Sequence, residues 1–188
     1  LELGIYDNDN FMVIVKDPSE DYVSRGESFL LNCNKYKSNF NAINFTCNDD
    51  IILTAFGLYR NGTNDIFYDL LVYEEKEENG NPHLIFHEKK VMVLKKTTEN
   101  KEIFKYPINN LIIKSNKIYQ IHQNILNVDN SSQYSGTGFQ SVIDVMDGLI
   151  KFQFFECKIS NKINGSDLEK GLIPRLFFTV QTDNDFME

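Results

Sequence analysis

Hydrophobic and polar residues alternate in several stretches of this chain with the period of two that a half-buried strand requires. Between Leu149 and Val180 the pattern is clearest. Ile150, Phe152 and Phe154 alternate with Lys151 and Gln153, and Leu176, Phe178 and Val180 share one side of a closing strand opposite Phe177 and Thr179. Leu149 to Cys157 and Leu172 to Val180 are therefore read as strands, separated by a polar loop from Lys158 to Lys170 that is too long for a tight hairpin. Asn164 and Gly165 turn the chain where φ must be positive, and Gly171 is expected to do the same at strand entry.

The rest of the chain repeats the pattern. Phe11 to Val15 and Phe29 to Cys33 are strand candidates, with a charged loop from Asp17 to Arg25 between them. Ile43, Phe45 and Cys47 face one way, and Asn44 and Thr46 the other. Ile51 to Tyr59 is apolar on both parities, which fits a strand covered on both faces or one bulged at Gly57. Ile66 to Tyr73 places Tyr68, Leu70 and Val72 together, and Asn79, Gly80 and Pro82 turn it back into His83 to His87. Lys89 to Leu94 reads as a further strand. Phe104 to Ile113 and Ile118 to Ile125 read as a pair turned by Ser115 and Asn116, with Pro107 marking the first as an edge. Ser141 to Val145 and a turn at Asp147 and Gly148 complete a set of about eleven strands. No segment has a helical period of useful length. The pattern predicts an all-β domain, a two-sheet antiparallel sandwich of jelly-roll type, whose long loops gather at its ends.

Composition narrows the function more than the fold. At 188 residues the chain suits one domain, and 41% hydrophobic residues supply its core. A net charge of −8 argues against a nucleic-acid partner and against an anionic membrane surface, and no apolar run approaches the length of about 18 residues needed to span a membrane. The one lysine cluster, Lys89, Lys90, Lys95 and Lys96, is read as flanking solvation of Val91 to Leu94. Cys33, Cys47 and Cys157 are odd in number and lack metal-ligand spacing, as expected of reduced thiols in a cytoplasmic protein. The chain opens on Leu1, as expected of a piece of a longer protein.

Catalytic patterns are absent from the sequence. His83 and His87 on one strand would stand about 13 Å apart, too far to share a metal. His122 is isolated and is expected to be exposed. No serine lies in a nucleophile elbow and no glycine-rich phosphate loop occurs. Asp49, Asp50, Asp147, Asp167 and Glu169 fall in turns, where aspartate is a turn former first and a calcium ligand second. Sequons at Asn44, Asn61, Asn130 and Asn164 are read as unglycosylated in so asparagine-rich a chain. No cofactor and no metal are expected.

Several stretches, in order, resemble the PHR domain, named for the Pam and Highwire family of giant neuronal ubiquitin ligases and found also at the end of BTB-BACK adaptors of cullin-based ligases. They are ESFLLNCNKYKSNF (Glu27 to Phe40), INFTCNDDIILTAFGLY (Ile43 to Tyr59), Tyr68 to Tyr73, Ser132 to Val145, and Leu149 to Phe178 ending NGSDLEKGLIPRLFF. The FGLY and NGS-to-IPRLFF segments are the specific ones. The resemblance implies a β-sandwich without catalysis of its own, which binds a protein partner or ubiquitination substrate through its end loops. By resemblance the partner-binding residues are Tyr59, Arg60, Asn61 and Gly62; Tyr134, Gly136 and Gly138; and Asn164, Gly165, Ser166 and Gly171. The chain departs from the family pattern at Arg60, Ser135 and Leu172, where glycine, glycine and glutamine are usual.

The domain organisation that follows is an N-terminal extension or linker with a possible first strand over 1–26, a sandwich over 27–180 and an acidic tail over 181–188. Two other readings fit the same residues: a lectin-like or calcium-binding extracellular sandwich, supported by the acidic turns and sequons, and a structural scaffold domain inside a larger assembly.

Overall fold

The computed structural model describes residues 20–26, 40–59, 66–76, 81–92, 103–126, 136–158, 168, 170–171 and 173–180. They form twelve strands and, among the described residues, no helix: β1 (Glu20–Ser24), β2 (Phe40–Cys47), β3 (Ile51–Tyr59), β4 (Ile66–Glu74), β5 (His83–Met92), β6 (Ile103–Ile113), β7 (Tyr119–Ile125), β8 (Gly136–Thr137), β9 (Val142–Val145), β10 (Ile150–Glu156), β11 (Lys170–Gly171) and β12 (Arg175–Val180). A four-stranded sheet has the order β1-β12-β3-β6, and a six-stranded sheet the order β5-β4-β7-β2-β10-β9. A short third ladder joins β11 to β8. All pairings are antiparallel.

The alternation seen in the sequence decides which faces meet. Ile43, Phe45 and Cys47 of β2, Tyr68, Leu70 and Val72 of β4, and Ile150, Phe152 and Phe154 of β10 are all buried. Leu176 and Phe178 of β12 oppose them from the other sheet. The rings of Phe152 and Phe178 lie 5.1 Å apart, and those of Phe56 and Phe86 6.3 Å apart, so each pair bridges the two layers. Burying such a ring stabilises the fold by roughly 1.5–3 kcal/mol relative to leaving it in water.

Two connections cross between the layers side by side. β2 passes to β3 through Asn48 to Asp50, and β6 to β7 through Lys114 to Ile118. The Asn116 amide donates to the Cys47 carbonyl (2.7 Å), with Asn116 in the left-handed region at φ 59. One Asp50 carboxylate oxygen accepts the Ser115 amide (2.7 Å) and the other the Lys114 ammonium (2.8 Å).

Several local expectations are corrected. Residues 20–24, read as part of a loop, are strand β1: their short polar stretch is held at the sheet edge by pairing with β12. The segments ending at Ile113 and Ile125 are not partners. Their connection crosses the sandwich, placing β6 at the edge of one sheet and β7 inside the other. His83 to Met92 is one continuous strand, because β4 pairs with it from end to end, with one irregularity at Ile85. The irregularity in β3 falls at Thr54, between Leu53 and Ala55, and not at Gly57. The expected strands Phe11 to Val15 and Phe29 to Cys33 lie outside the described residues.

Candidate functional site

The topology gives the sandwich two unlike ends. At one end lie the crossings beside Asp50 and the β9–β10 turn. Strands that start there finish at the other end: β3 at Tyr59, paired with Ile103, and β7 at Ile125, paired with Tyr68. β10 finishes at Glu156, paired with Ile43, and β12 begins at Arg175, paired with Gly57 and with Ser24. The strand ends leading into 60–65, 127–135 and 159–167 are thus all at one end, and every segment that the sequence singled out for binding departs from it.

Two of those segments meet directly. Gly136 pairs with Gly171 and Thr137 with Lys170 in the β8–β11 ladder. Gly138 follows in the left-handed region at φ 71, which suits a residue without Cβ. Gly171, by contrast, sits within the ladder, buried, and not in the left-handed turn expected of it. Tyr59 is described by its backbone, which closes β3. Arg60, Asn61, Gly62, Tyr134, Asn164, Gly165 and Ser166 lie outside the described residues.

The glycine of the FGLY segment has a steric reason to be glycine. A Cβ at Gly57 would stand 2.6 Å from the Arg175 Cβ and 2.9 Å from Cγ2 of Ile103. The strand carrying one motif therefore lies hard against the first residue of the strand that follows the other.

Beneath this end the core turns polar. Among the described residues the buried polar side chains are Arg25, Asn41 and Gln123, and all three lie toward it. Asn41 and Gln123 are register partners on β2 and β7. Arg25 follows β1 and is 2% exposed. Its amide donates to the Pro174 carbonyl (2.8 Å), and its carbonyl accepts the Gln140 amide (2.8 Å). Its Nη2 donates to the Leu168 carbonyl (3.4 Å), and the guanidinium carbon lies 4.5 Å from the Phe139 ring centroid and 5.1 Å from that of Phe154. Sequence reasoning missed Arg25, placing it at the end of a charged loop. β1 has too few apolar residues to show an alternation, and nothing local marks an arginine for burial.

Elsewhere several of the described ionisable residues are engaged with neighbouring polar groups. His122, expected to be exposed, is half-buried on the outer face of the six-stranded sheet between the rings of Phe40 (5.3 Å) and Tyr73 (4.7 Å). Its Nε2 lies 3.2 Å from Gln120 Oε1 and 4.0 Å from Cys157 Sγ. Gln120 in turn donates to Glu75 (2.8 Å). Burial, and secondarily the Glu75 charge, push the Cys157 thiol up to about 11, so this Cys–His contact holds a protonated thiol rather than a nucleophile. Cys47 is likewise buried, and burial raises its pKa. Exposed His87 pairs with Asp69 at 2.7 Å. Among the described residues, no three His, Cys, Asp or Glu side chains are placed to hold a metal ion. Asp167 and Glu169 lie outside the described residues.

Comparison with known proteins gives one result. The family model described as PHR domain matches residues 27–179. No curated protein matches the chain.

Proposed function

The chain belongs to the PHR domain family, and we propose on that footing that it is a non-catalytic protein-recognition module of a ubiquitin-ligase component or adaptor, working in the cytoplasm. Its partner is a protein, either a ubiquitination substrate or another subunit, and it is held at the end of the sandwich from which 60–65, 127–135 and 159–167 depart. The observation that carries this reading is the β8–β11 ladder. It brings Gly136 and Gly171, from two motifs far apart in sequence, into register on a rigid frame. Pairing of glycines brings the two strips close together, and a tyrosine with side-chain amides suits a protein surface. Family membership supports the ligase context, and the −8 net charge supports a protein partner over nucleic acid.

The test is alanine substitution at Tyr134 and at Asn164, assayed against a partner recovered by affinity capture. Each is expected to weaken binding roughly tenfold or more, as an interface anchor does. The melting temperature should stay within a degree or two of the parent's. Unchanged capture by both variants would overturn the assignment of this end as the binding surface.

A further inference from the structure

The two strips of chain that bear the motifs of the loop end, paired with each other through β8 and β11, both rest on one buried arginine. Three stretches distant in sequence meet at Arg25: its carbonyl holds Gln140, its amide holds Pro174, and its guanidinium holds Leu168 through Nη2 while lying over Phe139 and Phe154. Phe154 belongs to β10 and faces the core, so the cation also anchors both strips to the six-stranded sheet. A planar, weakly hydrated guanidinium can stack on a ring and donate in its own plane at the same time, which an ammonium cannot. The neighbouring residue adds a steric stop. A Cβ at Gly26 would lie 2.8 Å from Cδ1 of Phe139 and 3.4 Å from the Gly138 carbonyl oxygen, so the strip 138–139 rests directly on the main chain of residue 26.

We propose that Arg25 is a positioning residue that couples the strip 136–140 to the strip 168–174, so that they keep their mutual placement, and lose it, as one unit. A partner that orders one strip then orders the other at no further conformational cost. That consequence rests on the recognition reading above; the coupling itself rests on the contacts of Arg25, which add to the direct β8–β11 pairing of the same strips.

Hydrogen–deuterium exchange on the full chain tests it, with Arg25→Met, Arg25→Lys and Gly26→Ala as variants. In Arg25→Met, exchange should rise together in peptides covering 136–140 and 168–174, on the order of tenfold, while the β4–β5 hairpin keeps its parent rates. Arg25→Lys, which retains the charge without the plane, should behave like Arg25→Met. Gly26→Ala displaces Phe139 but leaves the guanidinium, and coupling requires that the disturbance reach 168–174 as well. Exchange rising in one strip alone, uniform loosening of both sheets, or parent-like protection in Arg25→Lys would each overturn the proposal. Should Arg25→Met fail to fold, the lysine and Gly26 variants decide it. The exchange assay needs no partner, so the coupling can fail while binding at Tyr134 and Asn164 stands, and the reverse.

Discussion

The Arg25 guanidinium carbon lies 4.5 Å from the centroid of the Phe139 ring, with both residues almost wholly inaccessible to water. A charge this deep is costly unless the surrounding groups compensate it, and a desolvated cation over a ring is attracted by about 0.5–2 kcal/mol. A double-mutant cycle separates that attraction from packing. Arg25→Met and Phe139→Leu, alone and together, should show a coupling energy of about 1 kcal/mol in urea unfolding. Additive effects would mean that the ring only fills space beside the arginine.

Gly57 makes a sharper steric prediction. The atom that its Cβ would strike, at 2.6 Å, is the Cβ of Arg175, which is fixed to the backbone of β12 and cannot swing aside. Accommodation must move one strand against the other. Gly57→Ala should therefore cost about 1–3 kcal/mol in thermal or urea unfolding, although alanine is the milder residue in a strand by propensity. A neutral result would show that β3 and β12 have slack where the register places Gly57 opposite Arg175.

How far the sequence could be read depended on the range of the force involved. Alternation at Ile43 to Cys47, Tyr68 to Val72 and Ile150 to Phe154 is a local signature of one wet and one dry face, and those faces are where the structure puts them. Pairing is not local. Phe104 to Ile113 and Ile118 to Ile125 looked like a hairpin because a turn joins them, yet that turn spans the two layers, fixed by Asp50 from elsewhere in the chain. The site divides in the same way. The glycines of the motifs were visible as residue types, whereas Arg25, which gathers their strips, carries no local mark because its burial depends on Phe139, Phe154 and Leu168. His122 was misjudged for the same reason, since Phe40 and Tyr73 come from other strands.

The Cys157 thiol offers a chemical readout. With its pKa pushed up to about 11 by burial and by Glu75, it is almost entirely protonated at neutral pH. Alkylation by iodoacetamide at pH 8 should run roughly a hundredfold slower than for a free thiol, because only the thiolate attacks. The rate in the folded protein should climb steadily toward pH 11. Peptide mapping by mass spectrometry follows it directly, and a plateau near pH 8.5 would show a thiol in water rather than one packed beside Ala42 and Phe40.

Acid stability turns on the crossing at Asp50. Hydrogen bonds first from the Lys114 ammonium and then from the Ser115 amide hold its carboxyl below the ordinary value of 3.8. A group whose folded-state pKa is depressed stabilises the fold above its unfolded value and loses that contribution as pH falls through the folded one. The advantage of the parent over Asp50→Asn should thus be full at pH 5–7 and fade below about pH 4, the two unfolding curves converging as the carboxylate protonates. Because Asp50 is partly exposed, the ion-pair share is small and screened by salt, and most of the difference should survive high ionic strength through the Ser115 amide. A gap between the two proteins that stays constant from pH 7 to pH 3 would mean that the asparagine disturbs the turn sterically and that the charge on Asp50 contributes nothing to joining the two layers.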